Sequence, residues 1–542
     1  MDSTTSKTTN WTDKINRLHY VFLALILALA FALRVIGIGW GLPRTDMHPD
    51  EFLVYSPAYE CALNHTFEVR DYYRPNHVSV KLDTLVYLGL QNFYFAPKGL
   101  DDFEANYKEH LSIFIKSTRL ITALFGVGCV VFAYLIASYW GRKQGLFAAL
   151  FFAVFPSFIE HSHYLIPDIP LLFFFLGVLW MALCYHKKPG VGWVLGMSFF
   201  AALATCEKYP GAYACVIIAT TVIATNLKKI GTIIKHGLLA ILFYILGIMA
   251  ISPNLIVDYQ TVLTVMAGQN KQYHIGADGL NFGETLLFYL KTAVVNMGLI
   301  LSLCSVYGLV RSIRKNTKPT ILLLALFAYI FPISVLKVHW ERYTLPIYAI
   351  GLILGAVGGC YLLEDLKKLT KEKKVISVFA SLLVFVLPFL SLASAAASVD
   401  AKFLAPDTRL YLMDEFAAMD VNLDNTVSDC NTPLDPGGFY GAFRDFELCD
   451  PAKYKYGSKM FVMTSSAQRD LYLVANPEMY GAVANFYTKL DENYPLVYKY
   501  TPVNPSFHLI EGWNIKSAIE TINEYAHGTA AGYEIRLYQL EQ

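Results

Sequence analysis

The chain has 542 residues, 55% of them hydrophobic and only 16% charged, with 44 Lys and Arg against 43 Asp and Glu for a net charge of +1. A mean hydropathy of +0.41 excludes an ordinary soluble protein, and so even a charge balance gives nucleic acid no footing. Apolar runs long enough to cross a ~30 Å hydrocarbon core recur from the N-terminus to about residue 398, which places the chain among polytopic α-helical membrane proteins.

In chain order, about eleven spans are predicted, near 20–39, 115–140, 144–160, 169–185, 191–206, 211–226, 237–252, 286–310, 319–337, 344–363 and 375–397. The first run has the core of a signal peptide, but it continues through Val35-Ile36-Gly37-Ile38 to Trp40 and reads as an uncleaved span. Alternate connections are basic: Arg142-Lys143, His186-Lys187-Lys188, Lys228-Lys229, Arg311 with Arg314, and Lys367 to Lys374. Lys and Arg mark cytoplasmic loops, so the N-terminus is predicted inside and, with an odd span count, the C-terminal segment outside.

The outer loop 40–114 is too long for a simple connector, and its aromatic-rich stretches 51–61 and 80–95 suit helices lying at the interface. A second outer loop, 253–284, carries Lys271, His274 and Asp278. From Ser398 the composition becomes that of a soluble segment, with helix-like 408–419 and 477–490 and strand-like 426–428, 460–464, 496–500 and 533–538. The expected organisation is therefore a membrane domain, 1–398, and a small extracytoplasmic α/β domain, 399–542. Cys430 and Cys449 are the only cysteines in that outer segment; an oxidising compartment allows them to bridge, and two separate thiols stay equally compatible with the sequence.

Four polar clusters end apolar runs on the same predicted face: His48-Pro49-Asp50-Glu51, His161-Ser162-His163 running to Pro167-Asp168, Glu207-Lys208-Tyr209-Pro210, and His339-Trp340-Glu341-Arg342-Tyr343. Each has a structural reading: Asp50 and Asp168 suit helix N-caps, Lys208 a snorkelling cation, and Arg342 a surface pair with Glu341. Together they point to chemistry. Ionisable groups this close to hydrocarbon are costly, cations on the outer face run against the charge bias, and a guanidinium fork matches phosphate oxygens. His161 and His163 with Asp50 or Asp168 match no closed zinc spacing; no metal site and no cofactor are assigned, and a divalent metal is left open.

The ordered motifs resemble the GT-C superfamily of membrane glycosyltransferases, in particular the family 39 branch of protein O-mannosyltransferases and lipid A aminoarabinose transferases. The motifs are Arg34-Val-Ile-Gly37, the acidic pair Asp50-Glu51, Asp168-Ile-Pro170, Lys208-Tyr-Pro-Gly211 and Glu341-Arg342-Tyr343-Thr-Leu-Pro346, covering 20 to about 365. Where many relatives have a Lys-Pro-Pro or His-Pro-Pro turn, this chain has Arg74-Pro75-Asn76-His77, which makes Arg74 a substitute phosphate contact. The tail resembles that of bacterial and archaeal members, implying their plasma membrane.

The resemblance implies a polyprenyl-phosphate-linked sugar as donor, a lipid, glycan or protein hydroxyl as acceptor, membrane lipids as surroundings and an inverting displacement. Asp50 is then the general base, with Glu51 its alternative, and Asp168 positions the sugar or steadies its oxocarbenium-like centre. Lys208 and Arg342 stabilise the departing phosphate, and Glu51, Arg74, His163, Tyr209, His339 and Tyr343 complete substrate binding. The rival reading is a polytopic transporter of a lipid or anionic solute, whose ionisable residues belong nearer the bilayer midplane.

Overall fold

The computed structural model describes residues 5–45, 47–269, 280–314, 320–371, 373–434, 459–505 and 515–540. Six helices among them are long and apolar enough to cross a membrane, or up to eight if each of two bent pairs is one span. The chain is an integral membrane protein.

Three further apolar helices, Val191–Glu207, Tyr209–Thr225 and Ala325–Val335, are shorter, and two of the predicted runs are bent. The stretch 144–160 is split into the helices Arg142–Ala153 and Pro156–His163, bent by 54°, and Pro156, having no N–H to donate, starts the second piece. Phe282–Met297 and Leu299–Arg314 meet at 113° around Gly298. Val191–Glu207 has 17 residues, at the short end of what a crossing needs.

Position in the bundle follows from how the apolar faces are used. The helices Asp168–Lys187 and Leu345–Leu369 are buried among other helices, whereas Ile230–Ile251 exposes Leu238, Ile241, Leu242 and Ile245. A helix apolar all round that presents such a band belongs against lipid. Arg34 explains how the break after Ala153 is tolerated. Its guanidinium, fully buried, donates to the carbonyls of Phe152 (3.0 Å) and Ala153 (3.1 Å), which the interrupted helix leaves without partners. Gly37, three residues on, has φ +79°, and a Cβ there would sit 2.5 Å from Phe403 Cβ. The Arg34-x-x-Gly37 motif thus locks the end of the first span to the broken helix and to the last span.

The loop after that span folds into the helices Phe52–Leu63, His77–Leu90 and Phe103–Glu109, which share a core of Val54, Ala58, Val80, Tyr87, Tyr107 and Phe114. The last span, Lys374–Leu404, contains a π-turn, Leu382–Val386, just before Pro388, whose missing N–H interrupts the α-helical ladder.

Beyond residue 404 lies a four-stranded sheet, β1 (Thr426–Ser428), β2 (Phe461–Ser465), β3 (Leu496–Tyr500) and β4 (Ile535–Gln539), in the order β1-β2-β4-β3. β1 runs parallel to β2, and β4 is antiparallel to both neighbours, with Val462 opposite Tyr538. Alternation along β2 sends Val462 into a core with Phe486, Tyr487 and Leu490, and Met463 to the other face with Leu412, Phe416 and Leu537. The stretch 408–419 forms two helices, Thr408–Tyr411 and Met413–Ala418, instead of one, and the helix Ile515–Ala526 adds to the elements read from sequence. Cys430 lies on the described chain, whereas Cys449 and the loop at Asp435 lie outside the described residues, as do Lys271, His274 and Asp278.

Candidate active site

Asp50 sits in the turn that leads into the helix Phe52–Leu63, and both of its oxygens are occupied. Arg74 Nη1 lies 2.5 Å from Oδ1, and Arg342 Nη1 donates to Oδ2 at 2.6 Å. The three residues come from the turn after the first span, from the outer loop and from a one-turn helix, Glu341–Thr344, that precedes the span Leu345–Leu369. Burial would raise the Asp50 carboxyl, but the Arg342 and Arg74 guanidiniums outweigh it and hold the group far below the usual carboxylate range. His48, two residues away, accepts the Asp50 N–H at Nδ1 (3.2 Å), and burial pushes this imidazole down to about 4.

A second pair lies beside the first. Lys208 Nζ donates to Asp168 Oδ1 at 2.7 Å and lies 5.0 Å from the centre of the Tyr343 ring. Asp168 opens the helix Asp168–Lys187, and Lys208 follows the end of Val191–Glu207. The turn after Lys208 requires Gly211, because a Cβ there would meet the Ala204 carbonyl oxygen at 2.1 Å. Asp50 and Asp168 are both within electrostatic reach of Arg342, which joins the pairs into one cluster. A cavity of about 280 Å³ adjoins them, lined by Arg74, Lys208, Tyr209, Trp340 and Tyr343 together with apolar Ile333, Leu336 and Val338. Tyr209 donates to the Tyr72 carbonyl at 2.7 Å, pinning the loop that carries Arg74.

Two of the ten expected site residues are held inside the protein by hydrogen bonds, and a third packs against an aromatic ring. Glu51, expected to touch substrate, is fully buried and receives Arg119 through Nε (3.0 Å) and Nη2 (2.7 Å), together with the Leu165 N–H (2.8 Å). Arg119 also donates to the carbonyls of Ile38 and Trp40, so the pair ties the turn to its flanking helices. Adjacent side chains at a helix start point apart, which sends Asp50 outward and Glu51 inward. His163, 1% exposed, lies with Nε2 2.6 Å from the Ile36 carbonyl and its ring stacked on Phe403. His339 packs edge to face against Phe288 at 4.6 Å. Arg119 itself was absent from the sequence reading, though a lone arginine inside an apolar span is a signal for it. Glu160, paired with Lys402 at 3.0 Å, was also missed.

Among the described residues no three His, Cys, Asp or Glu side chains gather in a way that could hold a metal ion.

Residues 114–257 match the family model of dolichyl-phosphate-mannose-protein mannosyltransferases. The resemblance read from the motifs is borne out. The matched stretch holds Asp168, Lys208 and Tyr209, while Asp50 and Arg342 lie outside it. No curated protein matches the chain significantly in sequence. Among solved structures the chain is similar to ArnT from Cupriavidus metallidurans in the apo state, at 15% identity and a TM-score of 0.46, over 77% of this chain and 73% of that one. It is similar to the same protein bound to undecaprenyl phosphate at 13% identity and a TM-score of 0.48, over 88% and 96%. An oligosaccharyltransferase from Archaeoglobus fulgidus, complexed with Zn and sulfate, aligns at 13% identity and a TM-score of 0.46, over 89% and 72%.

Proposed function

We propose that the protein is a membrane glycosyltransferase that moves a sugar from a polyprenyl-phosphate donor to a hydroxyl of a lipid, glycan or protein. The observation that carries this reading is the cluster of Asp50 between Arg74 and Arg342 beside the Lys208–Asp168 pair, with Arg74 and Lys208 lining one cavity. The family match supports the donor class, since a dolichyl phosphate is a polyprenyl phosphate and the matched stretch includes two of these residues.

In the reaction the acceptor oxygen attacks the anomeric carbon, the bond from that carbon to the phosphate oxygen breaks, and the lipid phosphate leaves with the electron pair. The acceptor proton passes to Asp50. General-base help of this kind contributes about 10²–10⁴ in rate. Arg74, Arg342 and Lys208 stabilise the charge that develops on the phosphate. Asp168, held by Lys208, faces the sugar. The apolar residues of the cavity receive the first part of the polyprenyl chain, and Tyr343 and Trp340 offer faces to the sugar. Glu51 and His163 act at a distance, by holding the turn that carries Asp50. The displacement is single and inverts the anomeric centre.

The arginines set an order of events. With no phosphate bound, both oxygens of Asp50 are engaged and the carboxylate is a poor base. A phosphate that draws the guanidiniums toward itself leaves Asp50 freer to accept a proton, so the base gains strength when the donor is in place. The site and residues 399–542 lie outside the cytoplasm in this reading, in a bacterial or archaeal plasma membrane, and the reaction uses no cofactor. Incubation of purified protein with labelled polyprenyl-phosphate sugars and a membrane extract tests it: label should leave the donor for a second product, and retention of all label on the donor would remove the activity.

A further inference from the structure

A second cavity lies on the other side of the bundle, among the helix ends whose connecting loops carry the Lys and Arg excess. It has a volume of about 620 Å³, within the range of small-molecule sites, and Phe22, Leu150 and Phe385 contribute to its apolar wall. Phe147 stacks on Phe385 with ring centres 3.7 Å apart, which gives that wall a flat aromatic floor. Phe22, on the first span, is 55% exposed, so the cavity opens toward hydrocarbon and not only toward water.

The rim is polar and incompletely paired. Lys143 and Lys367 line it from two different helices, and neither has an ion-pair partner among the described residues. Gln144, also in the lining, is 6% exposed, yet its amide makes no hydrogen bond with any described residue. Glu364 shares the rim and subtracts one charge, while Arg142 and Lys368 flank the two lysines in sequence. Asp365, the other nearby acid, is taken by Arg311 at 2.7 and 2.9 Å and by Tyr307. The mouth is therefore net positive above an apolar interior.

We propose that this cavity binds an anionic phospholipid of the inner leaflet. Its phosphate lies between Lys143 and Lys367 and accepts from the Gln144 amide, and acyl chain covers the Phe147–Phe385 wall. A basic pocket between spans at the cytoplasmic face is the arrangement that selects anionic headgroups. A free phosphate would satisfy the lysines but leave the aromatic wall bare, and a neutral lipid would cover the wall but leave the lysines unpaired. The site is independent of the transferase reading, because no residue in it belongs to the Asp50 cluster.

Native mass spectrometry of the full-length protein, titrated with dioleoyl phosphatidylglycerol or dioleoyl phosphatidylcholine, tests this. We expect the anionic lipid to be retained at least about tenfold better, at about fivefold per lysine, and the double variant Lys143→Gln, Lys367→Gln to bring the ratio close to one. Leu150→Trp, which fills the cavity and keeps both lysines, should weaken retention of the anionic lipid by a similar factor. Gln144→Leu keeps shape and charge and serves as a milder second variant, expected to lower retention about threefold; a thermal melt of each lipid-free variant establishes that it is folded. Equal retention of the two lipids, an unchanged ratio in the double variant, or displacement of the bound lipid by inorganic phosphate would each overturn the assignment.

Discussion

Asp50 keeps its two oxygens on arginines that lie 24 and 292 residues away in the chain, and Glu51, its neighbour, keeps both of its own on Arg119. The two carboxylates therefore answer differently to the loss of charge. Asp50→Asn should fold and lose transfer by about 10²-fold or more, because an amide cannot take the acceptor's proton. Glu51→Gln should instead lower the melting temperature, since breaking a fully buried pair leaves the Arg119 charge uncompensated at a cost of about 3–5 kcal/mol. Thermal melts and transfer rates measured on the same two preparations check both expectations. The arginines also set the pH response. Asp50 is held low by Arg342 and Arg74, so Arg74→Gln should raise its pKa and move the acid limb of the pH–rate profile to higher pH. A limb that stays in place, or moves to lower pH, would separate Arg74 from the base.

At the scale of elements, the polar ends of the apolar runs were legible in the sequence, because carboxylates and cations beside hydrocarbon stand out against composition. That is why Asp50, Asp168, Lys208 and Arg342 could be named from the chain. Their pairing was not legible: Arg342 reaches Asp50 only because the bundle brings a one-turn helix near residue 341 beside the turn after the first span. Nor could sequence separate Asp50 from Glu51, which differ only in the direction set by the local backbone. The bends inside two apolar runs, at Pro156 and Gly298, were not legible either, since hydropathy carries no record of a bend. In the C-terminal sheet, period-two alternation located the strands to within a residue or two, while the helix Ile515–Ala526 went unread. That sheet carries its own pH dependence. Asp429 is buried, which pushes its carboxyl up to about 7 despite hydrogen bonds from Tyr487 and the Cys430 N–H. Its folded-state pKa lies above the unfolded one near ~3.9, so the folded form holds the extra proton between these values. Stability from this group is complete at the acid end and falls as pH rises toward 7, by at most about 1.4 kcal/mol per pH unit. Hydrogen exchange of β2 in the full chain should slow at pH-corrected rates on going from pH 7 to 5, and Asp429→Asn should abolish that difference.

For the whole molecule, the reading depends on sidedness. Cysteines introduced at Lys187, next to a basic connection, and at Val474, 83% exposed beyond the last strand of the parallel pair, should react with an impermeant label from opposite sides of a sealed membrane. Reaction from the same side would move the candidate site away from the face assigned to it. The two cavities give the molecule a polarity of its own: one beside the Asp50 cluster, with Arg74 and Lys208 in its lining, and one among the opposite helix ends, with Lys143 and Lys367 in its lining.

The central claim is that Asp50 takes a proton from a hydroxyl while a sugar leaves a lipid phosphate. Its most direct test is to follow labelled sugar and free polyprenyl phosphate together, in wild type and Asp50→Asn, with a panel of polyprenyl-phosphate sugars and a membrane extract. In the wild type, one donor should release lipid phosphate in step with the appearance of a glycosylated acceptor, and the variant should bind that donor at least as tightly and release neither. Transfer by Asp50→Asn at the wild-type rate, or passage of intact donor across the membrane without any loss of its sugar, would contradict the account.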